Sequence, residues 1–448
     1  MKEPKNNFFC QICGYKSSKW LGRCPSCGDW NTFAEEISTP LISQRALKES
    51  APPVPLNLVS VSESERLPIG MREFDRVLGG GIVAGSATLI GGEPGIGKST
   101  LLLQMAERLA RTDKPILYIS GEESAKQIKL RGERIGAKSP NILILTASDT
   151  ETIILHIQKI KPAVVIIDSI QTIYSPEISS APGSVSQVRE ASERLITVAK
   201  TSDIPIFLVG HVTKDGSLAG PKVLEHMVDT VLYFEGDHNN LYRIVRSMKN
   251  RFGPTNEIGV FEMRGEGLAE ITNPSDIFLA QRALGVPGSV VVPSMEGSRP
   301  ILLELQALVS HSNFGIPKRT TIGFDPNRVS LLVAVIDKIL RVPLGTHDIF
   351  INVAGGIRIE ETAADLGIVA AMLSSLNDRE ISPRTAVFGE VGLAGEVRGV
   401  AQAELRVREA ARMGFNRCIV PKTKENIAAE VEIIKVGNIG ELLAVVFR

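Results

Sequence analysis

Gly92-Glu93-Pro94-Gly95-Ile96-Gly97-Lys98-Ser99-Thr100 is a complete G-x-x-x-x-G-K-S phosphate-binding loop. Ser86-Ala87-Thr88-Leu89-Ile90 before it reads as a short strand. Thr100-Leu101-Leu102-Leu103-Gln104-Met105-Ala106 after it reads as the first turns of a helix. The glycines let successive backbone N–H groups converge on an anion, and the helix N-terminus adds its own unpaired N–H groups and dipole. Lys98 is placed to reach the β- and γ-phosphates, and Ser99 to ligate Mg²⁺. Gly92 through Thr100 are therefore expected to hold the phosphates of ATP. A glycine-rich turn with an incidental lysine explains neither flank. The loop reads phosphates, so it says nothing about the base.

Downstream, apolar runs alternate with amphipathic segments. Strands are predicted over 115–120, 141–145, 163–168 and 205–210, and helices over 124–135, 150–160 and 186–199. That pattern predicts an α/β core with a parallel sheet covered on both faces. Asp168 ends the most apolar strand, where a carboxylate serves Mg²⁺ and its water in phosphate-loop ATPases. Ser169 and Gln171 follow as candidate γ-phosphate sensors. Glu122 and Glu123 end an earlier strand. Glu122, ahead of Glu123, is expected to polarise the attacking water, provided its strand lies beside the phosphate loop. The alternative is a charge at the N-terminus of the helix that begins at Ser124.

Two long loops are expected at the C-terminal edge of this sheet, where ligands bind. The first, 168–191, has the composition of a flexible segment. The second runs from His211 to Lys222. Lys214 and Lys222 are candidates to follow a DNA phosphate backbone, and His211 to connect nucleotide state to the loop. Ordinary connections are the alternative for both. Residues 231–235 and 241–247 predict a hairpin. Lys249-Asn250-Arg251-Phe252-Gly253 follows and reads as an exposed, rigid tip suited to reach a neighbouring subunit's γ-phosphate.

At the other end of the chain, Cys10, Cys13, Cys24 and Cys27 form C-x₂-C-x₁₀-C-x₂-C. Two close thiolate pairs are a ligand set for tetrahedral Zn²⁺, and Gly14 and Gly28 permit the knuckle turns. A disulfide pairing or a rubredoxin-type iron is the alternative. Lys16, Lys19, Trp20, Arg23 and Trp30 surround the ligands, suited either to nucleic acid or to packing. Residues 1–34 are read as this knuckle, and the proline-containing 35–65 as a connector.

The chain has 448 residues, enough for two to four domains, with 50 basic and 50 acidic side chains. Balanced charge excludes a polyanion binder of globally basic type, so any DNA contact must be local. The N-terminal segment predicts no signal peptide, no run is long enough to span a membrane, and the clustered cysteines fit a reducing cytoplasm.

Lys249-Asn250-Arg251-Phe252-Gly253, together with the four cysteines and the phosphate loop, resembles the bacterial RadA/Sms family of DNA repair and recombination proteins over the whole length. The resemblance implies a four-cysteine zinc knuckle, a RecA-like ATPase domain over 66–271 and a Lon-protease-like α+β domain over 272–448. It implies that Lys98 and Ser99 serve phosphate and Mg²⁺, that Glu122 activates water, and that Lys249 and Arg251 act across a subunit interface. It further implies a homo-hexameric ring, single-stranded and branched DNA as partners, branch migration, and RecA as a partner recombinase.

In Lon the catalytic pair is a serine and a lysine. Here Asp365 stands where the serine aligns, and no lysine occurs between Glu396 and Pro421. An aspartate cannot serve as the hydroxyl nucleophile, so peptidase activity is not expected. Ring building and DNA contact are expected instead, with Arg398, Arg406, Arg408 and Arg412 as local positive charge or simply solvated surface. Cys418 reads as core. A DNA-dependent ATPase motor is the leading expectation. A nucleotide-gated regulatory ring without motor activity is the alternative.

Overall fold

The computed structural model describes residues 7–36, 55, 66–111, 114–211, 222–236, 242–280, 282–312, 317–423, 427 and 430–447. Lys214, the turn at 237–240 and nearly all of the expected connector lie outside the described residues.

The cysteine segment is a small antiparallel sheet in which β1 (Asn7–Cys10) lies between β2 (Lys16–Ser17) and β3 (Phe33–Glu36). Among the described residues its buried core is Cys10, Cys24 and Phe33, with Phe8, Cys13 and Leu21 against it. So little apolar surface cannot offset the entropy of ordering thirty residues.

From Arg66 to Glu270 the described residues belong to one compact unit, and from Ile271 onward to a second. In the first, α1 (Arg72–Val77) is pinned at its entry by Asp75, which accepts the N–H groups of Ile69 and Gly70. Then come β4 (Ala87–Gly92), α2 (Lys98–Leu109), β5 (Ile116–Ser120), α3 (Ala125–Ile135), β6 (Ile142–Thr146), α4 (Thr150–Ile160), β7 (Val164–Asp168), α5 (Val185–Ser202), β8 (Ile206–His211) and α6 (Lys222–Met227). The unit closes with β9 (Thr230–Gly236), β10 (Tyr242–Asn250), β11 (Ile258–Arg264) and β12 (Gly267–Glu270).

The nine strands run in the order β12-β11-β10-β9-β4-β8-β7-β5-β6. Six of them, from β6 to β9, are parallel. The hairpin expected over 231–235 and 241–247 is present as antiparallel β9 and β10, and β11 and β12 extend the sheet beyond it, an addition the apolar runs do not announce. Alternation divides the core. Ile116 and Tyr118 of β5 join the buried cluster on one face with α1, α2 and Ile128 of α3. Leu117 and Ile119 join the cluster on the other, with α4 and α5.

The loop after β7 differs from its expected flexibility. A short 3-10 turn covers Ile170–Thr172, and the amide of buried Gln187 accepts from Ser175 N and donates to carbonyls of Ile178 and Ser180. One glutamine on α5 thereby supplies the hydrogen bonds that the loop backbone cannot make for itself.

The second unit contains α7 (Pro274–Leu279), β13 (Ser289–Glu296), β14 (Arg299–His311), β15 (Arg319–Ile322), α8 (Pro326–Leu340), β16 (His347–Val353), α9 (Asp365–Leu376), β17 (Thr385–Val387), β18 (Glu390–Val391) and β19 (Val397–Arg398). It ends with α10 (Ala403–Arg412), β20 (Arg417–Pro421), β21 (Glu432–Val436) and α11 (Ile439–Val445). Its seven-stranded sheet is mixed, in the order β15-β16-β14-β13-β17-β20-β21. Asp365 to Ser374 of α9 are all buried, as the small side chains of that helix allow. Cys418 is core, and burial pushes its thiol up to about 12. The four arginines expected as local positive charge are each paired with a carboxylate: Arg398 with Glu396, Arg406 with Glu361, Arg408 with Glu404 and Arg412 with Glu409. Arg406 is no surface residue at all, being 2% exposed.

Candidate nucleotide site and metal knuckle

The phosphate loop joins β4 to α2. Gly97, at φ 119°, caps α2 without a side-chain hydrogen bond, so no serine or aspartate occupies the first-turn N–H groups and they stay available to an anion. Gly95 also takes a left-handed φ of 77°. A Cβ on Gly97 would strike Met263 at 2.9 Å, so the antiparallel extension closes over the loop. Arg243 of β10 holds it from behind, donating Nε–H to Ile96 O at 2.8 Å.

Lys98 is buried, and its ammonium donates to Gly92 O at 2.7 Å and Glu93 O at 2.8 Å. Burial pushes its pKa down to about 8, although Asp168, Glu122 and Glu93 favour the charge. Above pH 8, nucleotide binding must first return a proton to Lys98. ATP affinity is therefore expected to be flat below pH 8 and to fall about tenfold per unit above it. Fluorescent-nucleotide titration from pH 7 to 9.5 checks this. Unchanged affinity at pH 9.5 would show that Lys98 stays charged throughout.

A cavity of about 370 Å³ is lined by Gly95, Gly97, Lys98, Ser99, Thr100, Ser120, Glu122, Glu123, Asp168 and His211, with Arg131 and Arg134 of α3. β5 is not adjacent to β4, since β8 and β7 lie between them. Glu122 nevertheless opens on the same cavity. The two glutamates part company there. Glu123 is committed to Arg131, Oε1 to Nη2 at 2.5 Å. Glu122 is 46% exposed, accepts Ser169 Oγ–H at 3.0 Å, and lies 3.8 Å from His211 Nε2. The first N–H groups of α3 are satisfied by a capping box of Ser124 and Gln127, and no acidic side chain lies in its first turn. Asp168 accepts the Tyr118 hydroxyl at 2.5 Å. His211 bridges Lys98, at 3.5 Å, and Glu122, and its carbonyl lies 3.4 Å from Gln171 Nε2. Tyr118, Arg131 and Arg134 were invisible as site residues in the sequence.

Lys249 and Arg251 lie elsewhere. Lys249 does not project from a tip. Its ammonium caps the C-terminus of α6, donating to Glu225 O at 2.7 Å and Val228 O at 2.8 Å. Asn250 is buried, and Arg251 pairs with Asp229 at 3.0 Å while staying 53% exposed. Asp229 accepts the N–H of Ala87, at the start of β4, at 3.1 Å. The phosphate loop is at the other end of that strand, roughly 17 Å away at 3.3 Å per residue. Lys222 begins helix α6 rather than ending a loop.

In the knuckle, all four sulfurs lie within 4.8 Å of one another. Cys10 and Cys27 Sγ are 3.7 Å apart, and Cys13 and Cys24 Sγ 3.5 Å. Tetrahedral Zn²⁺ with bonds of about 2.3 Å requires edges of about 3.8 Å, so the donor set fits the metal in both softness and size. Trp20 and Trp30 are exposed beside it, Trp30 under the Arg23 guanidinium at 5.7 Å. Zinc chelation is expected to unfold β1 to β3 while ATP binding survives. Hydrogen exchange over 7–36 checks this, and persistent protection there after chelation would refute it.

Among the described residues no helix is long and apolar enough to cross a membrane. Family models match in three places: residues 8–35 as a rubredoxin metal binding domain, 52–217 as an AAA domain, and 310–424 as subunit ChlI of Mg-chelatase. Similarity to known proteins also runs over the whole length. The chain is 51% identical over 452 residues to the DNA repair protein RadA of Bacillus subtilis, covering 99% of both chains. It is 48% identical over 442 residues to that of Listeria monocytogenes (97% of both) and 49% over 453 to that of Streptococcus pyogenes serotype M6 (100% of both). With a four-cysteine zinc knuckle, a phosphate-loop ATPase core and this identity from end to end, the chain belongs to the bacterial RadA family.

Proposed function

We propose that this ATPase is DNA-dependent, acts in recombinational repair, moves along single-stranded DNA as a homo-hexameric ring and promotes branch migration of recombination intermediates. The observation that carries the reading is the separation within one subunit of a nearly complete hydrolytic site from the cations Lys249 and Arg251. Gly92 to Thr100, Glu122 and Asp168 surround one cavity, whereas Arg251 lies at the far end of β4. Completion of the site by a neighbour accounts for both facts.

The N–H groups of the loop and Lys98 hold the β- and γ-phosphates. Ser99 and Asp168 offer hard oxygen donors, a set that fits Mg²⁺, which when bound neutralises charge on the phosphates. Glu122 orients and deprotonates water. Ser169, Gln171 and His211 connect that carboxylate to the chain that leads towards Lys214 and Lys222, the proposed DNA contacts.

The four parts are a zinc domain at 1–34, a connector at 35–65, a RecA-like domain at 66–271 and a Lon-protease-like domain at 272–448. Asp365, fully buried and held by Nε–H and Nη2–H of Arg328 and by Val391 N–H, supports a scaffold role for the last rather than peptide hydrolysis. RecA is the proposed partner and the cytoplasm the proposed location. The test is ATP hydrolysis with and without single-stranded DNA, for wild type and Lys98→Ala. Several-fold stimulation, abolished by Lys98→Ala, is expected. Hydrolysis indifferent to DNA, with no nucleotide-dependent DNA binding, would leave the regulatory ring as the better reading.

A further inference from the structure

Tyr118 is a polar residue in a place where packing alone calls for an apolar one. On β5 it shares a face with Ile116 and belongs to the same buried cluster as Ile128 and Ile166. It is fully buried, and a phenylalanine would fill the same space. What the hydroxyl adds is one hydrogen bond, 2.5 Å to Asp168 Oδ2. The register makes this contact possible. Ser120 stands opposite Asp168 and Tyr118 opposite Ile166, so Tyr118 reaches Asp168 along the diagonal between neighbouring strands.

The direction of that bond is fixed. A carboxylate only accepts, and the phenol only donates while it keeps its proton. A phenol has an ordinary pKa of about 10, so at neutral pH it carries the proton that this bond needs. A neutral donor also does what a cation cannot. An arginine or lysine at 118 would orient Asp168 and cancel its charge. The phenol orients it and leaves the charge for a metal. Arg131 of α3 pairs with Glu123 through Nη2 at 2.5 Å, and its buried Nη1 makes no hydrogen bond to Asp168.

We propose that Tyr118 is a positioning residue of the nucleotide site, anchoring Asp168 Oδ2 so that Oδ1 is presented to Mg²⁺ or its water. The proposal rests on the reading of Asp168 as the Mg²⁺-side carboxylate. An outer-shell partner of this kind typically changes metal affinity or activity by 10- to 100-fold when lost.

Tyr118→Phe removes the oxygen and nothing else. Fluorescent ATP is titrated into the full-length protein in EDTA and over a range of Mg²⁺ concentrations. In EDTA the variant is expected to bind within about twofold of wild type, which also reports that the site is folded. The Mg²⁺ enhancement is expected to fall about tenfold, and half-saturating Mg²⁺ to rise by a similar factor. In an Asp168→Asn background, Tyr118→Phe is expected to have no further effect, because the two groups act as one unit. Wild-type Mg²⁺ enhancement in Tyr118→Phe overturns the proposal, as does an equal loss in the Asp168→Asn background. If Asp168→Asn itself keeps the full enhancement, the reading of Asp168 fails, and the role of Tyr118 falls with it.

Discussion

Glu122→Gln is expected to bind ATP as wild type does and to hydrolyse it 10² to 10⁴ times more slowly, the usual contribution of a positioned general base. Glutamine keeps the shape and the hydrogen bond from Ser169 but cannot take a proton. The same substitution at Glu123 is expected to have a smaller effect and of a different kind. Glu123 is the partner of Arg131, so Glu123→Gln weakens an ion pair in the wall of the cavity and is read mainly in KM and in stability. Exposure points the same way. Glu122 is open enough for solvent to supply the attacking water, while Glu123 Oε2 is a buried atom. Single-turnover hydrolysis and nucleotide titration on both variants separate the two residues. An inactive Glu123→Gln beside an active Glu122→Gln would reverse the assignment.

These two glutamates also mark how far the sequence could be read. The phosphate loop, the strand ending in Asp168 and the paired cysteines declare themselves locally, since each needs particular residue types at fixed spacing. Choosing between Glu122 and Glu123 needs to know that Arg131, two turns along α3, comes back to the second of them. Tyr118 was hidden for a related reason. In an apolar run a tyrosine reads as core, and its bond to Asp168 depends on the β5–β7 register, which no local pattern encodes. Arg406 shows the opposite error. Beside Arg408 and Arg412 on an amphipathic helix it looks like surface charge. In the fold its guanidinium lies over Phe388 and pairs with Glu361, residues distant in sequence. Lys249 belongs with these cases. Its partners are carbonyls of α6, a helix of six residues whose short pattern gives no signal of its own.

The behaviour of Lys249 and Arg251 can be decided by mixing subunits. Arg251→Ala is expected to bind ATP normally, because Arg251 lies at the opposite end of β4 from the loop. Its hydrolysis is expected to fall by 10³ or more, the range seen when a trans-acting arginine is removed. Lys98→Ala subunits are inactive themselves but carry an intact Arg251. Mixed with Arg251→Ala, they are expected to restore hydrolysis at sites where an intact loop meets an intact arginine. Lys249→Ala is expected to be rescued less completely. Its ammonium already holds the α6 carbonyls of its own subunit, so removal leaves that helix end unsatisfied whatever the neighbour supplies. The difference between the two rescues measures how much of Lys249 acts at home and how much next door. No rescue of Arg251→Ala at any mixing ratio, in rings shown to contain both subunits, would place Arg251 in its own subunit's structure and remove the argument for a shared site.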